Sequence, residues 1–186
     1  MADVDDGLRK TFRSLITGAA PWPLYLWGPA GTGKTSAALV LLDYCGEGSW
    51  RIDPDIHDFH HGYTEMRSLA ALKIGAENGR HSYEYGVPEK YSCWPNMLRQ
   101  WRKLPLVVVD EIGVGGNVAD FKLDTLLEVL NTRCDSPVRP MVVTSNLDPV
   151  EVERVYDDRV ASRILAGTVY KLTGDDRRIA KAKRDA

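Results

Sequence analysis

The chemistry in this chain is concentrated in a few short strings. Gly28, Pro29, Ala30, Gly31, Thr32, Gly33, Lys34 and Thr35 follow the spacing G-x-x-x-x-G-K-[ST]. Glycines at these positions let the backbone approach an anion closely, and the N–H groups of Gly31, Gly33, Lys34 and Thr35 can converge on phosphate oxygens where the next helix starts. The Lys34 ammonium would reach the β- and γ-phosphates, with Ser36 following in the first turn, and the Thr35 hydroxyl is an oxygen ligand suited to Mg²⁺. A second string, Leu106-Val-Val-Val109, ends in Asp110-Glu111. Asp110 at a strand end belongs near the Mg²⁺ shell, and Glu111 near the γ-phosphate, where a carboxylate takes a proton from an attacking water. Standing alone, that pair reads equally as a solvated turn. The phosphate loop upstream favours hydrolysis. A third string, Thr144-Ser145-Asn146, closes another apolar run, and Asn146 there can orient the water or sense the γ-phosphate, or simply form a turn before Asp148-Pro149.

These residues need a scaffold that brings strand ends to one edge. Leu8, Phe12, Leu15 and Ile16 lie at helical spacing, and Gly18, Pro21 and Pro23 end that element. Leu24–Trp27 suits a buried strand that runs into the glycine-rich loop, and Ser36–Tyr44 a helix that leaves it. Trp50–Ile52 is expected to be a short strand, Glu65–Lys73 a helix with breaks at Gly62, Gly75 and Gly79, residues 81–95 a loop, and Met97–Lys103 a basic helix. Leu106–Val109 and Met141–Thr144 are continuous apolar runs of the kind covered on both faces, with a helix over Phe121–Cys134 between them. Alternating strands and helices predict an α/β fold, a three-layer αβα sandwich on a mainly parallel sheet.

Composition sets outer limits. The 186 residues carry 24 Lys+Arg against 26 Asp+Glu, a formal charge of −2, with 44% hydrophobic and 27% charged residues. Such a chain has the material for one folded domain and lacks the bulk positive charge of a protein that coats DNA or an anionic membrane. No apolar run approaches the ~20 residues of a membrane span, and the acidic start Met-Ala-Asp-Val-Asp-Asp differs from a secretion signal, so a cytoplasmic protein without membrane contact is expected. Cys45, Cys93 and Cys134 form no C-x-x-C pair and read as reduced thiols. His57, His60 and His61 have no companion set of Cys or carboxylate to complete a zinc geometry and read as unpaired side chains of a polar turn. Arg159 and Arg163 lie four apart on one helix face, where a solvated ion-pair face with Asp157 and Asp158 is the ordinary reading.

Taken in order, these strings resemble the AAA+ ATPases, and among them the DnaC-like helicase loaders and IstB-like transposition helpers. The matching pieces are Gly28–Thr35 as Walker A, Val107–Glu111 as Walker B, Arg139-Pro-Met-Val-Val-Thr-Ser-Asn-Leu147 as the sensor 1 strand, and Arg159-Val-Ala-Ser-Arg163-Ile-Leu as the box VII helix. The resemblance implies a P-loop NTPase fold and an organisation of 1–23 as short helix and linker, 24–178 as ATPase domain, and 179–186 as basic tail. It also implies ATP with Mg²⁺, Asn146 as sensor 1, Arg178 (beside Arg177) as sensor 2, and Arg163 as an arginine finger offered across a self-association face. Loaders carry an N-terminal helicase-contacting domain, whereas 23 residues precede Leu24 here. Segment Ile56–Pro95 also departs from the family pattern, although Tyr63, Arg67 and Lys73 would suit single-stranded DNA as well as packing.

The leading expectation is an ATP-hydrolysing loader or remodeller acting with a replicative helicase or other DNA-processing protein, a phage or mobile element being one source. A transposition helper is the alternative within the family. A small-molecule P-loop kinase shares the phosphate loop but calls for a basic lid where this chain has the paired-arginine helix. A nucleotide-binding switch without turnover has less need of Glu111.

Overall fold

The apolar runs form the strands they predict, and the helices between them cover both sheet faces. The structure is a computed structural model, and it describes residues 6–45, 62–77, 94–113, 120–135 and 137–174. The expected strand at Trp50–Ile52, the loop over 81–93, His57, His60, His61, Cys93, Arg177, Arg178 and the tail lie outside the described residues. In chain order the elements are α1 (Asp6–Ile16), β1 (Leu24–Trp27), α2 (Lys34–Cys45), β2 (Tyr63–Glu65), α3 (Met66–Glu77), α4 (Trp94–Trp101), β3 (Val107–Ile112), α5 (Asp120–Cys134), β4 (Met141–Ser145), α6 (Pro149–Val155), α7 (Asp158–Leu165) and β5 (Thr168–Lys171). The five strands make one sheet in the order β2-β3-β4-β1-β5, and every pairing is parallel.

Alternation along the strands separates two cores. Leu24 and Leu26 of β1, Val108 of β3 and Val142 of β4 meet Leu8, Phe12 and Leu15 of α1 and Ala38, Leu41 and Leu42 of α2. Tyr25, Val107, Val109, Met141 and Val143 face the other way, onto Leu69 of α3, Met97 and Trp101 of α4, Leu126 and Leu130 of α5, and Val160 and Ile164 of α7. Helices therefore lie on both faces, giving the expected three layers. Buried Arg133 of α5 braces the second layer: its guanidinium donates to the carbonyls of Trp101 and Leu104 at 2.7 and 3.0 Å, and also to that of Pro140.

Several expectations are corrected. Helix α3 starts at Met66 and runs through buried Gly75 to Glu77, because packing of this face outweighs the glycine's weak propensity. Glu65 ends β2 rather than opening that helix, and the short strands β2 and β5 were not foreseen. Helix α4 begins inside the expected loop, at Trp94 and Pro95, and ends at Trp101 instead of Lys103. The Asp148-Pro149 turn opens α6: Asp148 Oδ1 accepts from Glu151 N at 2.8 Å while Glu151 Oε2 accepts from Asp148 N at 2.7 Å, a reciprocal cap. Among the described residues no helix is long and apolar enough to cross a membrane.

Candidate functional site

Parallel pairing brings the C-terminal ends of β1, β3 and β4 to one edge, with Leu26 beside Thr144, Trp27 beside Ser145, and Ile112 beside Ser145. The glycine-rich loop leaves β1 at this edge. Gly28, Gly31 and Gly33 have φ of 146, 75 and 94°, backbone that L side chains rarely adopt. Gly28 is fixed further by packing, since a Cβ there would stand 2.1 Å from the Leu172 carbonyl oxygen. Buried Thr32 ties the loop to itself, donating to the Pro29 carbonyl at 2.9 Å. The Lys34 side chain, 8% exposed, folds across the loop, and its ammonium donates to the carbonyls of Gly28 and Pro29 at 2.8 Å each.

A cavity of about 170 Å³ opens over this loop. Ala30, Gly31, Gly33, Lys34, Thr35 and Ser36 line it on the loop side, and Glu111, Thr144, Ser145 and Asn146 from the neighbouring strand ends. Gly28, Pro29 and Thr32 shape the loop from behind. The residues singled out in three separate stretches of sequence thus share one concave surface with a helix N-terminus at its floor, a geometry able to hold an anion.

Asp110 lies beneath this surface, 2% exposed. Strand alternation puts it on the side of α2, and Thr35 Oγ1, 75 positions away in sequence, donates to its carboxylate at 2.9 and 3.2 Å. Tyr63 from β2 donates to Asp110 Oδ2 at 2.9 Å, and Thr144 from β4 donates to Oδ1. Neither Tyr63 nor Thr144 was singled out for this carboxylate by the sequence. Burial and the adjacent Asp110 charge hold the Tyr63 phenol far above its ordinary range. Among the described residues this buried carboxylate is satisfied by neutral hydroxyls, an arrangement that favours a cation nearby. The all-oxygen pair of Thr35 and Asp110 fits the preference of Mg²⁺.

Glu111 is turned by a bulge. Between the pairs Val109–Val143 and Ile112–Ser145, β3 advances three residues while β4 advances two, so one extra residue is accommodated. Glu111 takes φ 57°, in the left-handed region, and its N–H donates to Thr144 Oγ1 at 3.0 Å. Regular alternation would send Glu111 to the face opposite Asp110; with the bulge it lines the cavity. Thr144 therefore touches both acidic positions. Asn146 is held by its neighbours: Ser145 Oγ donates to Ile112 O at 2.8 Å and accepts from Leu147 N at 3.0 Å, and Tyr25 OH donates to Leu147 O at 2.7 Å.

Arg163 does not line the cavity. It lies half-buried on α7, where one guanidinium nitrogen donates to Arg159 O at 2.9 Å. Asp157 caps α7 by accepting from Val160 N at 2.9 Å and also pairs with Arg159 at 2.6 Å. Slight burial raises the Asp157 carboxyl, but these partners outweigh it and hold the group below its ordinary value. Of the three residues that would suit DNA, Lys73 and Tyr63 are taken up by packing, while Arg67 stays largely exposed. Lys73 is buried and paired with Glu128 Oε1 at 2.7 Å, Arg67 pairs with Glu65, and Tyr63 belongs to Asp110.

Neither the family models nor the curated proteins give a match to the sequence. Solved structures do. AMPPCP-bound DnaA from Aquifex aeolicus matches with a TM-score of 0.67 at 16% identity, covering 97% of this chain and 52% of its own. The replication initiator DnaA bound to AMPPCP and single-stranded DNA has a TM-score of 0.63 at 15% identity, over 95% of this chain and 48% of its own. The DnaC helicase loader has a TM-score of 0.61 at 16% identity, over 90% and 86%. The chain shares their fold, an all-parallel αβα fold of the P-loop NTPase kind. It spans about half the length of the two DnaA structures. Within that fold, the cavity-lining residues come from the loop and strand ends that the sequence resemblance names as Walker A, Walker B and sensor 1.

Proposed function

We propose that this chain binds ATP with Mg²⁺ over the Gly28–Thr35 loop and hydrolyses it, acting in DNA replication as an accessory factor of the helicase-loader kind. The observation that carries the reading is the junction of Thr35 with Asp110, beside a cavity into which the bulge turns Glu111. In this reading the loop N–H groups and the Lys34 ammonium hold the β- and γ-phosphates, and Thr35 with Asp110 holds Mg²⁺. Mg²⁺ bound there would neutralise charge developing on the phosphate oxygens. Water, oriented by Asn146, attacks the γ-phosphorus as the bond to the β–γ bridging oxygen breaks; its proton passes to Glu111 and ADP and phosphate leave.

Arg163 is proposed to act on the ATP of a neighbouring copy, and Arg178 to close on the nucleotide as sensor 2. Support for the replication setting is the likeness in fold to DnaA and the DnaC helicase loader, together with the Arg139–Leu147 string. A replicative helicase is the proposed protein partner, and single-stranded DNA a further ligand, for which exposed Arg99, Arg102 and Lys103 at the end of α4 are suited. A transposase in place of the helicase would mark the IstB-like alternative, and affinity capture from the native host distinguishes the two. The test of turnover is Glu111→Gln, which keeps shape and removes the base: ATP affinity is expected to stay within about twofold while phosphate release falls at least 100-fold. Hydrolysis at the wild-type rate would remove Glu111 from this role.

A further inference from the structure

We propose that Tyr63 is a positioning residue that holds Asp110 in the orientation required by the divalent cation bound with nucleotide. The inference rests on the nucleotide reading above and deepens it. Tyr63 pairs in register with Val108, two residues before Asp110, and all three lie on the α2 side of the sheet. Two residues of strand span about 6.6 Å, a gap that a phenol bridges and a serine or threonine hydroxyl does not. Glu65, which pairs in register with Asp110 itself, is occupied with Arg67.

The result is a carboxylate gripped from both neighbouring strands. Tyr63 on β2 holds Oδ2, Thr144 on β4 holds Oδ1, and Thr35 spans the two. When the Thr35 oxygen turns its lone pairs to a cation, its proton can still point to Asp110, and the two flanking hydroxyls keep the carboxylate from rotating. Without Tyr63, Oδ2 keeps Thr35 alone among the described residues, and the carboxylate must be ordered as the cation binds. A purely structural phenol would behave differently: its loss would lower stability and leave the cation dependence of nucleotide binding unchanged.

Tyr63→Phe removes the hydroxyl and keeps the ring. ATP affinity is to be measured by calorimetry on the whole chain, in EDTA and across a Mg²⁺ titration. The expected result is wild-type affinity in EDTA, about tenfold less tightening by Mg²⁺, and a half-saturating Mg²⁺ concentration about tenfold higher, the effect of one hydrogen bond to a charged group. Tyr63→Gln, whose donor is shorter, is expected to show the same loss should the first variant fold poorly. In the Asp110→Asn background Tyr63→Phe is expected to change the Mg²⁺ dependence no further, because the group it positions is gone. Unchanged Mg²⁺ tightening in Tyr63→Phe, or a full additional loss in the Asp110→Asn background, overturns the role of Tyr63 while leaving the nucleotide reading intact. Failure of the wild-type chain to bind ATP under either condition overturns both.

Discussion

Thr144→Val tests how Asp110 and Glu111 are held. Thr144 is 1% exposed, and its hydroxyl donates to Asp110 and accepts from Glu111 N–H at 3.0 Å. Valine matches the shape, so the loss is confined to hydrogen bonding. Removing a donor from a buried charged acceptor costs about 1.5–3 kcal/mol, reduced here by the two hydroxyls that remain on Asp110. The unpaired Glu111 N–H adds about 1 kcal/mol. The sum, about 3 kcal/mol, corresponds to a drop of roughly 6–12 °C in melting temperature for a domain of this size. Glu111 would also lose the bond that steadies its left-handed backbone, so phosphate release is expected to fall at least tenfold. Thermal unfolding followed by circular dichroism, with a phosphate-release assay on the same samples, reads both effects, and Thr144→Ser is expected to recover most of each. A valine variant melting within about 2 °C of wild type and hydrolysing at the same rate would refute this account of the strand ends.

Arg163→Ala is expected to bind ATP but turn it over poorly, and Lys34→Ala to bind none; mixing the two is expected to restore part of the ATPase activity, since an intact loop and an intact finger can meet across one interface. No recovery in mixed oligomers confirmed by mass measurement would leave Arg163 as a helix-face residue. For pH, burial raises the Cys134 thiol from 9.0 to about 11 and the Tyr156 phenol from 10.0 to about 12, so the folded chain keeps protons that the unfolded chain releases. Stability is therefore full below pH 9 and falls as pH rises beyond it; urea midpoints between pH 8 and 10 are expected to decline, less so in Cys134→Ser, and a flat series would contradict the burial argument. Arg133, lowered by burial from 12.5 to about 10, begins to release its proton at the top of that window and there opposes the decline.

The glycine-rich loop over Gly28–Thr35 was legible as a connection from strand to helix because its glycines, lysine and threonine have few other reasons to stand at that spacing. Strands β3 and β4 were legible as long apolar runs, and their shared edge followed from parallel topology. Short strands left weaker signals: β2 is Tyr-Thr-Glu and β5 is Thr-Val-Tyr-Lys, both mixed in polarity because they lie at the edges of the sheet formed by the described residues. Without β2 in the sheet, nothing connected Tyr63 with Asp110, 47 positions away. The bulge at Glu111 was hidden too, since a register shift of one residue leaves the composition of a strand unchanged. Thr144 was visible as part of a strand, but its double contact with Asp110 and Glu111 depends on that bulge. The Asp148-Pro149 pair illustrates a shared signal: the same two residues suit a turn and a capped helix start, and Glu151 decides for the helix.

The most direct test of the central claim is the affinity of the whole chain and of Lys34→Ala for Mg·ATP, measured by titration calorimetry. Lys34 is buried across the mouth of the loop and reaches the carbonyls of Gly28 and Pro29, so its loss removes the one side-chain ammonium that lines the cavity among the described residues. Saturable binding by the wild-type chain and at least a 100-fold loss in Lys34→Ala is the predicted result. Equal affinity in the two proteins, or no binding by the wild-type chain, would contradict the assignment of this cavity to ATP.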